Sequence, residues 1–220
     1  MILRKCTIPV KTNREACSPE TDGTMPGCIH LPVAPACNIQ CRFCARTFDG
    51  AGEGMSTALS PQEAVEQISS RLARREPISK ALIFGPGESL ANAASYVVLR
   101  RLSWLHPELI LGIETNGLLL RDRIEQIVAD GVRAVSITIN ALSEETAKKI
   151  YSGILYKGRR YPIEAAAEFL LKNQWQGLML AVDAGLQVSV RTIVVPGVNE
   201  EEVPLIAGKA GKLGAVSKAI

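Results

Sequence analysis

Short apolar runs of strand type alternate with stretches of helical periodicity along almost the whole chain, and no other feature limits its fold so tightly. Ile29–Val33, Lys80–Phe84 (KALIF), Leu109–Ile113 (LILGI), Arg133–Ile139 (RAVSITI) and Gln187–Val195 (QVSVRTIVV) read as buried strands, and Ala215–Ile220 begins a sixth. Ser60-Pro61-Gln62-Glu63 opens a helix, with an N-cap serine, a proline at the first helical position and a glutamate at the third. Ala64, Val65, Ile68 and Leu72 then carry its apolar face. Further helical stretches cover Asn92–Trp104, Asp122–Ala129 and Glu200–Leu213. A longer one after the fourth strand breaks near Gly153–Pro162 and resumes through Leu180. Alternation of this kind makes a parallel sheet with crossover helices. Without a doubly wound nucleotide signature, six such units fit an α/β fold of the partial TIM-like (β/α)6 barrel type, its sixth strand truncated at the C-terminus. In such folds the chemistry sits at the C-terminal ends of the strands. Residues 1–27 are polar and turn-rich, and read as an N-terminal extension or lid ahead of a barrel at 28–220.

The first strand runs straight into Ala36-Cys37-Asn38-Ile39-Gln40-Cys41-Arg42-Phe43-Cys44, a C-x3-C-x2-C run with an aromatic before its last cysteine. Three thiolates this close hold three corners of a [4Fe–4S] cube and leave the fourth iron open. An iron with a free site binds a small molecule through nitrogen and oxygen and passes it an electron, which is the chemistry of reductive S-adenosylmethionine (SAM) cleavage. A zinc site is the competing reading, with Cys28 or His30 upstream as fourth ligand. Zinc ligands usually come as two separated C-x2-C pairs, however, and one such pair is present.

The other polar motifs also fall at strand ends. Gly85-Pro86-Gly87-Glu88 follows the second strand; its glycines let a ligand approach the backbone, and free carbonyls with Glu88 can accept from an ammonium group. Read alone, it is equally a plain turn. Glu114-Thr115-Asn116-Gly117 follows the third strand and offers an acid and an amide to ribose hydroxyls, or an Asn-Gly turn. The fourth strand ends in Thr138-Ile139-Asn140, and the fifth carries Arg191. An arginine inside a barrel needs a partner, which a ligand carboxylate supplies bidentately; on the outside it is simply solvated.

At 220 residues, 47% hydrophobic and 21% charged, the chain is of ordinary globular composition and suits one domain. A net charge of +3 gives no case for a nucleic-acid or anionic-membrane partner. No run approaches the roughly 20 apolar residues of a membrane span, and Met1–Lys5 leads into polar sequence rather than a signal peptide. Six cysteines, three in one run, read as reduced thiols and hence as a cytoplasmic protein.

Together these features resemble the radical-SAM superfamily and, within it, the NifB-type family of nitrogenase-cofactor assembly proteins. The finer likeness rests on His30-Leu31-Pro32-Val33-Ala34-Pro35-Ala36-Cys37-Asn38-Ile39-Gln40-Cys41, Gly85–Asn92, Thr115–Leu118, Thr138–Ala141, Ile150-Tyr151 with Gly158–Tyr161, and Pro196–Asn199, and covers about residues 28–215. It implies a radical-SAM barrel that fuses two [4Fe–4S] units into a larger iron–carbide core, a lyase- or transferase-type step of cofactor maturation. It further implies a cluster on Cys37, Cys41 and Cys44, with Phe43 beside it and the adenine. Gly85, Gly87 and Glu88 would take the methionine ammonium, Glu114 and Asn116 the ribose side, and Arg191 with Asn140 the polar tail or ribose. A ferredoxin or flavodoxin as electron donor, and iron–sulfur cluster donor and carrier proteins, are the implied partners. The chain departs from the family where His-Pro-Cys becomes Glu15-Ala16-Cys17, and where family cysteines become Gly50 and Gly112. Cys6, Cys17 and Cys28, with His30, are the candidates for a second metal centre holding an additional iron–sulfur cluster. The missing thiolates favour the alternative of another substrate: a peptide, a cofactor precursor or a methyl acceptor.

Overall fold

The structure, a computed structural model, describes residues 27–45, 48 and 58–220. The expected lid up to residue 26, with Cys6 and Cys17, and the loop position Gly50 lie outside the described residues. Numbered in chain order, six strands form one sheet: β1 (Gly27–Pro32), β3 (Ile78–Phe84), β4 (Ile110–Thr115), β5 (Val132–Thr138), β8 (Gln187–Thr192) and β9 (Val216–Ala219). Every neighbouring pair in that order is parallel. The expected strands are therefore all present, within a few residues of their sequence bounds. β9 pairs with β8 through Ser189↔Val216 to Thr192↔Ala219, and Ile220 N–H donates to the Thr192 carbonyl at 2.9 Å. Among the described residues β1 and β9 are the two edges, so the sheet there is an open, partial barrel.

Helices α1 (Pro61–Ala73), α2 (Ala93–Leu105), α3 (Leu120–Ala129), α5 (Ile163–Asp183) and α6 (Val203–Lys212) share one apolar core with the sheet. Leu31, Ile83, Leu111, Ile113, Ile137 and Val190 of the strands are buried there with Ile68, Leu99, Leu102, Ile127, Leu178 and Ile206 of the helices. Each such side chain contributes about 1.5–3 kcal/mol by leaving water. α1 starts where its sequence dictates: Ser60 Oγ accepts from Glu63 N–H at 3.2 Å, and Glu63 Oε2 accepts from Ser60 N–H at 2.8 Å, a reciprocal capping box behind Pro61. Alternating with the apolar strand residues, His30, Lys80, Glu114, Ser136 and Arg191 are half-buried.

The break expected at 153–162 is a β-hairpin. After the short helix α4 (Glu144–Ile150), β6 (Tyr151–Tyr156) and β7 (Arg159–Pro162) run antiparallel, and β6 also pairs antiparallel with β2 (Ile39–Cys41) of the cysteine run. Lys157 (φ 49) and Gly158 (φ 77) make the two-residue turn, whose two positive φ values match the twist of a tight hairpin. A second, smaller core lies under this three-stranded sheet: Ile39, Leu118, Ile150, Tyr151, Ile154, Ile163, Leu170 and Leu171. No helix among the described residues is long and apolar enough to cross a membrane.

Candidate active site

The cysteine run leaves the C-terminal end of β1 and is held from two sides. On one side the Gly85–Glu88 turn docks against it: Gly87 N–H donates to the Ala34 carbonyl at 2.6 Å, and Glu88 N–H to that of Ala36 at 2.8 Å. A Cβ on Gly87 would lie 2.2 Å from the Ala36 oxygen, and one on Gly85 2.6 Å from the Ala34 oxygen, so no side chain fits at either position. Asn92, the N-cap of α2, clamps the same stretch; its Nδ2 donates to the Ala36 carbonyl at 2.8 Å, and its Oδ1 accepts from Ala36 N–H at 3.3 Å. These glycines thus serve backbone-to-backbone packing, where the sequence suggested approach by a ligand. On the other side Leu155 N–H of β6 donates to Asn38 C=O at 2.8 Å, and Arg42 N–H to Ile150 C=O at 2.8 Å.

Cys37, Cys41 and Cys44 are all free and half-buried in this frame. Burial, then the Glu88 carboxylate and Cys44, push the Cys37 thiol up to about 11, against opposing backbone hydrogen bonds. Cys41 is likewise raised well above its ordinary value, by burial and by the Cys37 and Cys44 thiols. Burial disfavours the charged form of Cys37 and Cys41, and a cationic iron core would take them as thiolates. Beside Cys37, Asn38 Nδ2 is a buried donor with no protein acceptor, and a sulfide-rich anion would satisfy it. The donor set and its frame therefore fit a [4Fe–4S] cluster. Among the described residues no three His, Cys, Asp or Glu side chains gather as a single-ion site.

The expected SAM contacts divide into two groups. Glu88 is buried and occupied within the protein: Oε1 accepts from Leu90 N–H at 2.9 Å and Thr115 Oγ1 at 2.6 Å, and Oε2 from Asn116 N–H at 2.6 Å. Burial raises its carboxyl above the usual range against those hydrogen bonds. Asn116 also donates through Nδ2 to Asn38 Oδ1 at 2.7 Å, tying β4 to the cysteine run. Asn140 is 1% exposed and accepts from Ile193 N–H at 2.9 Å, joining the ends of β5 and β8. Phe43 packs on the second core. Glu114 and Arg191 instead stay half-buried and pair with each other at 2.5 Å. The arginine's partner is thus a protein carboxylate, where the sequence offered a ligand's.

Around that ion pair the interior is polar. Burial lowers the His30 imidazole, with Glu114 raising it and Arg191 and Lys80 lowering it. Burial likewise lowers Lys80, against Glu114. A Cβ on Gly112 would come 2.8 Å from Leu82 Cδ1 and 3.4 Å from Lys80 Cε, so the glycine leaves space that these side chains use. The second centre expected on Cys6, Cys17, Cys28 and His30 is not assembled among the described residues. Of its members the structure describes Cys28 and His30, both half-buried on β1. Sequence reasoning missed Asn38, Asn92, Gln174 and Lys80 as parts of the site. Lys80 carried a legible signal, a cation inside an otherwise apolar strand. Gln174, whose Nε2 donates to Asn116 C=O at 2.8 Å and Thr138 C=O at 3.2 Å, carried none.

A parallel open barrel with a three-cysteine loop at the end of its first strand defines a class. Residues 31–210 match the profile of the Radical SAM superfamily, and the chain belongs to that family. The [4Fe–4S] cluster and SAM expected from the cysteine run are the cofactors that go with it. The chain is similar to the FeMo cofactor biosynthesis protein NifB of Chlorobaculum tepidum, 38% identical over 194 residues that make up 86% of this chain and 46% of the relative. It is also similar to NifB of Methanocaldococcus jannaschii, 34% identical over 187 residues, 82% of this chain and 62% of the relative. It therefore spans less than two thirds of the length of either. A radical SAM methyltransferase from Sphaerobacter thermophilus shares the fold, with a TM-score of 0.58 at 17% identity over 87% of this chain and 54% of that one. So does the radical SAM methyltransferase TsrM from Kitasatospora setae, solved with cobalamin and a [4Fe–4S] cluster, with a TM-score of 0.55 at 18% identity over 88% of this chain and 36% of that one.

Proposed function

We propose that the chain is a radical-SAM enzyme of nitrogenase-type iron–sulfur cofactor assembly, with Cys37, Cys41 and Cys44 as the cluster ligands. The observation that carries the proposal is the set of three free thiols on one loop fixed from both flanks. When bound, the cluster supplies the electron that cleaves SAM to methionine and a 5′-deoxyadenosyl radical. The protein's own part is to hold and shield. Gly85 and Gly87 keep the loop against the β3 end, Asn92 and Asn38 fix its backbone, and Phe43 closes it against the second core. The strand-end carbonyls beside Glu88 remain the acceptors for the SAM ammonium, and Asn140 and Asn116 hold the strand ends that would flank the nucleoside. Glu114 and Arg191 present one charge of each sign to the interior. Small acidic electron carriers of the ferredoxin or flavodoxin kind, cluster donor and carrier proteins, and a cytoplasmic location complete the proposal.

A second reading, the same radical chemistry on another substrate, draws on the interior itself. Gly112, beside Lys80 and Leu82, offers no thiolate there, and the half-buried His30, Lys80, Glu114 and Arg191 interact with one another. One experiment tests the common core. Anaerobically reconstituted protein, reduced with dithionite, is expected to release 5′-deoxyadenosine and methionine from SAM, and Cys41→Ala is expected to abolish the release. A Cys41→Ala protein with full cleavage overturns the ligand assignment. Iron content divides the two readings: about four irons per chain favours another substrate, and about twice that favours cluster assembly.

A further inference from the structure

The β6–β7 tip carries Lys157, Arg159 and Arg160, all exposed, and none forms an ion pair with a carboxylate among the described residues. Each cation lies over an aromatic ring: Lys157 over Tyr156 at 5.2 Å, Arg159 over Tyr161 at 5.7 Å and Arg160 over Phe48 at 5.2 Å. The rings hold the charged heads in place without neutralising them. Below the tip opens a groove of about 590 Å³ whose lining includes Asn38, Asp122, Arg123, Leu155, Lys157 and Gly158. Its acid, Asp122, is already engaged, accepting from Tyr156 Oη at 2.7 Å. The groove's lining reaches Asn38, the residue after Cys37.

The hairpin is also the sheet partner of the cysteine run. Leu155 lies opposite Asn38 on one side and Arg160 on the other. At the usual strand spacing, the Arg160 backbone is about 10 Å from that of Asn38. A basic surface with no carboxylate partner among the described residues, two strands from the cysteine loop, is built to steer something acidic to that loop.

The geometry points to the β6–β7 tip and its groove as the docking surface for the protein that reduces the cluster, a small electron carrier with an acidic face around its redox centre. The inference rests on the radical-SAM reading above. In the exchange the docked carrier loses one electron and the cluster gains it, and no bond to the hairpin is made or broken. The rest of the surface gives less to a polyanion such as nucleic acid, since the whole chain carries only +3. Continuity with the cysteine loop has meaning for electron delivery and none for nucleic-acid binding.

The test compares the reconstituted protein with its Lys157→Gln/Arg159→Gln/Arg160→Gln variant, using a reduced acidic [4Fe–4S] ferredoxin and, separately, dithionite. Dithionite-driven 5′-deoxyadenosine formation is expected to stay within about twofold, while the ferredoxin-driven rate falls by about tenfold or more, the scale of lost electrostatic steering. Calorimetric binding of ferredoxin to the protein is expected to weaken in parallel, and both ferredoxin readouts to decline with added salt in the wild type alone. Equal ferredoxin rates and affinities in the two proteins overturn the docking surface. Equal losses with both reductants overturn it too, assigning the hairpin to the fold. Binding of heparin or phosphatidylglycerol vesicles that the variant loses, with ferredoxin unaffected, gives the patch to another polyanion and rejects the proposal. Wild-type protein that cleaves no SAM with dithionite fails at the parent reading instead, and the inference falls with it.

Discussion

At the scale of single residues the site is governed by how close two backbones come. Gly87 sits where a Cβ would lie 2.2 Å from the Ala36 oxygen and 2.5 Å from its carbonyl carbon, and backbone cannot yield as a side-chain tip does. Gly87→Ala is expected to cost about 1–3 kcal/mol of stability, as overpacking does, and to displace the cysteine run. Iron retained after reconstitution should drop while far-ultraviolet circular dichroism stays native; unchanged iron would show that the turn does not set the loop. Glu88 is expected to behave as a structural acid. Glu88→Gln turns one accepting oxygen into a donor facing Asn116 N–H or Thr115 Oγ1, and should cost about 1–3 kcal/mol, read as a lowered denaturation midpoint. The residue types at these positions were legible in the sequence, and so was the strand end that carries them. Their partners were not, because hydrogen bonds such as Thr115 to Glu88, 27 positions apart, leave no local periodicity. Arg191 shows the same limit: its need for a carboxylate was plain, and its choice of Glu114, 77 positions away, was not.

Among the elements, the parallel strands and their helices could be read because each is a local pattern: a short apolar run, a helical face, a capping box. The β6–β7 hairpin could not. Its strands are short and split between polar and apolar faces, and β2 has only three residues, so pairing rather than composition defines them. The start of α4 likewise depends on a distant group. Glu202 accepts from Leu142 N–H at 2.6 Å and Thr146 Oγ1 at 2.9 Å, so a carboxylate from the chain before α6 lies at the positive end of α4. Burial raises the Glu202 carboxyl, but these hydrogen bonds and those from Ser143 outweigh it and hold it below the usual range. A folded value below the unfolded one, near 4.3, means that the stabilisation is complete above that unfolded value and is lost as pH falls through the folded one. Glu202→Gln is expected to lower stability by about 1 kcal/mol at neutral pH, and the difference should vanish in acid. Urea midpoints measured across pH check this, and a gap that persists in acid would contradict it.

Across the molecule, α5 is the member shared by both cores. Leu170 and Leu171 belong to the core under the hairpin, and Trp175, Leu178 and Ala181 to the core under the parallel sheet. Twenty-one residues of helix reach about 30 Å, long enough to couple the two. Unfolding of the cluster-loaded protein is therefore expected to be one transition. Tryptophan fluorescence and the visible absorption of the cluster should change together, and well-separated midpoints would mean that the cores melt independently. Leu170→Ala, fully buried beneath the hairpin, should cost about 2–5 kcal/mol and lower both signals at once. The pairing of the cysteine run with β6 has a consequence in time. Ser152 Oγ donates to the carbonyl of Gln40, 112 positions earlier, so the segment carrying Cys37 and Cys41 is completed only after β6 has been made. Local βα units close early, whereas a contact of that span waits until the chain between has folded. Iron offered to the nascent chain meets three unpositioned thiols; iron offered after α5 has docked meets a finished socket, which makes metal loading a step that follows folding.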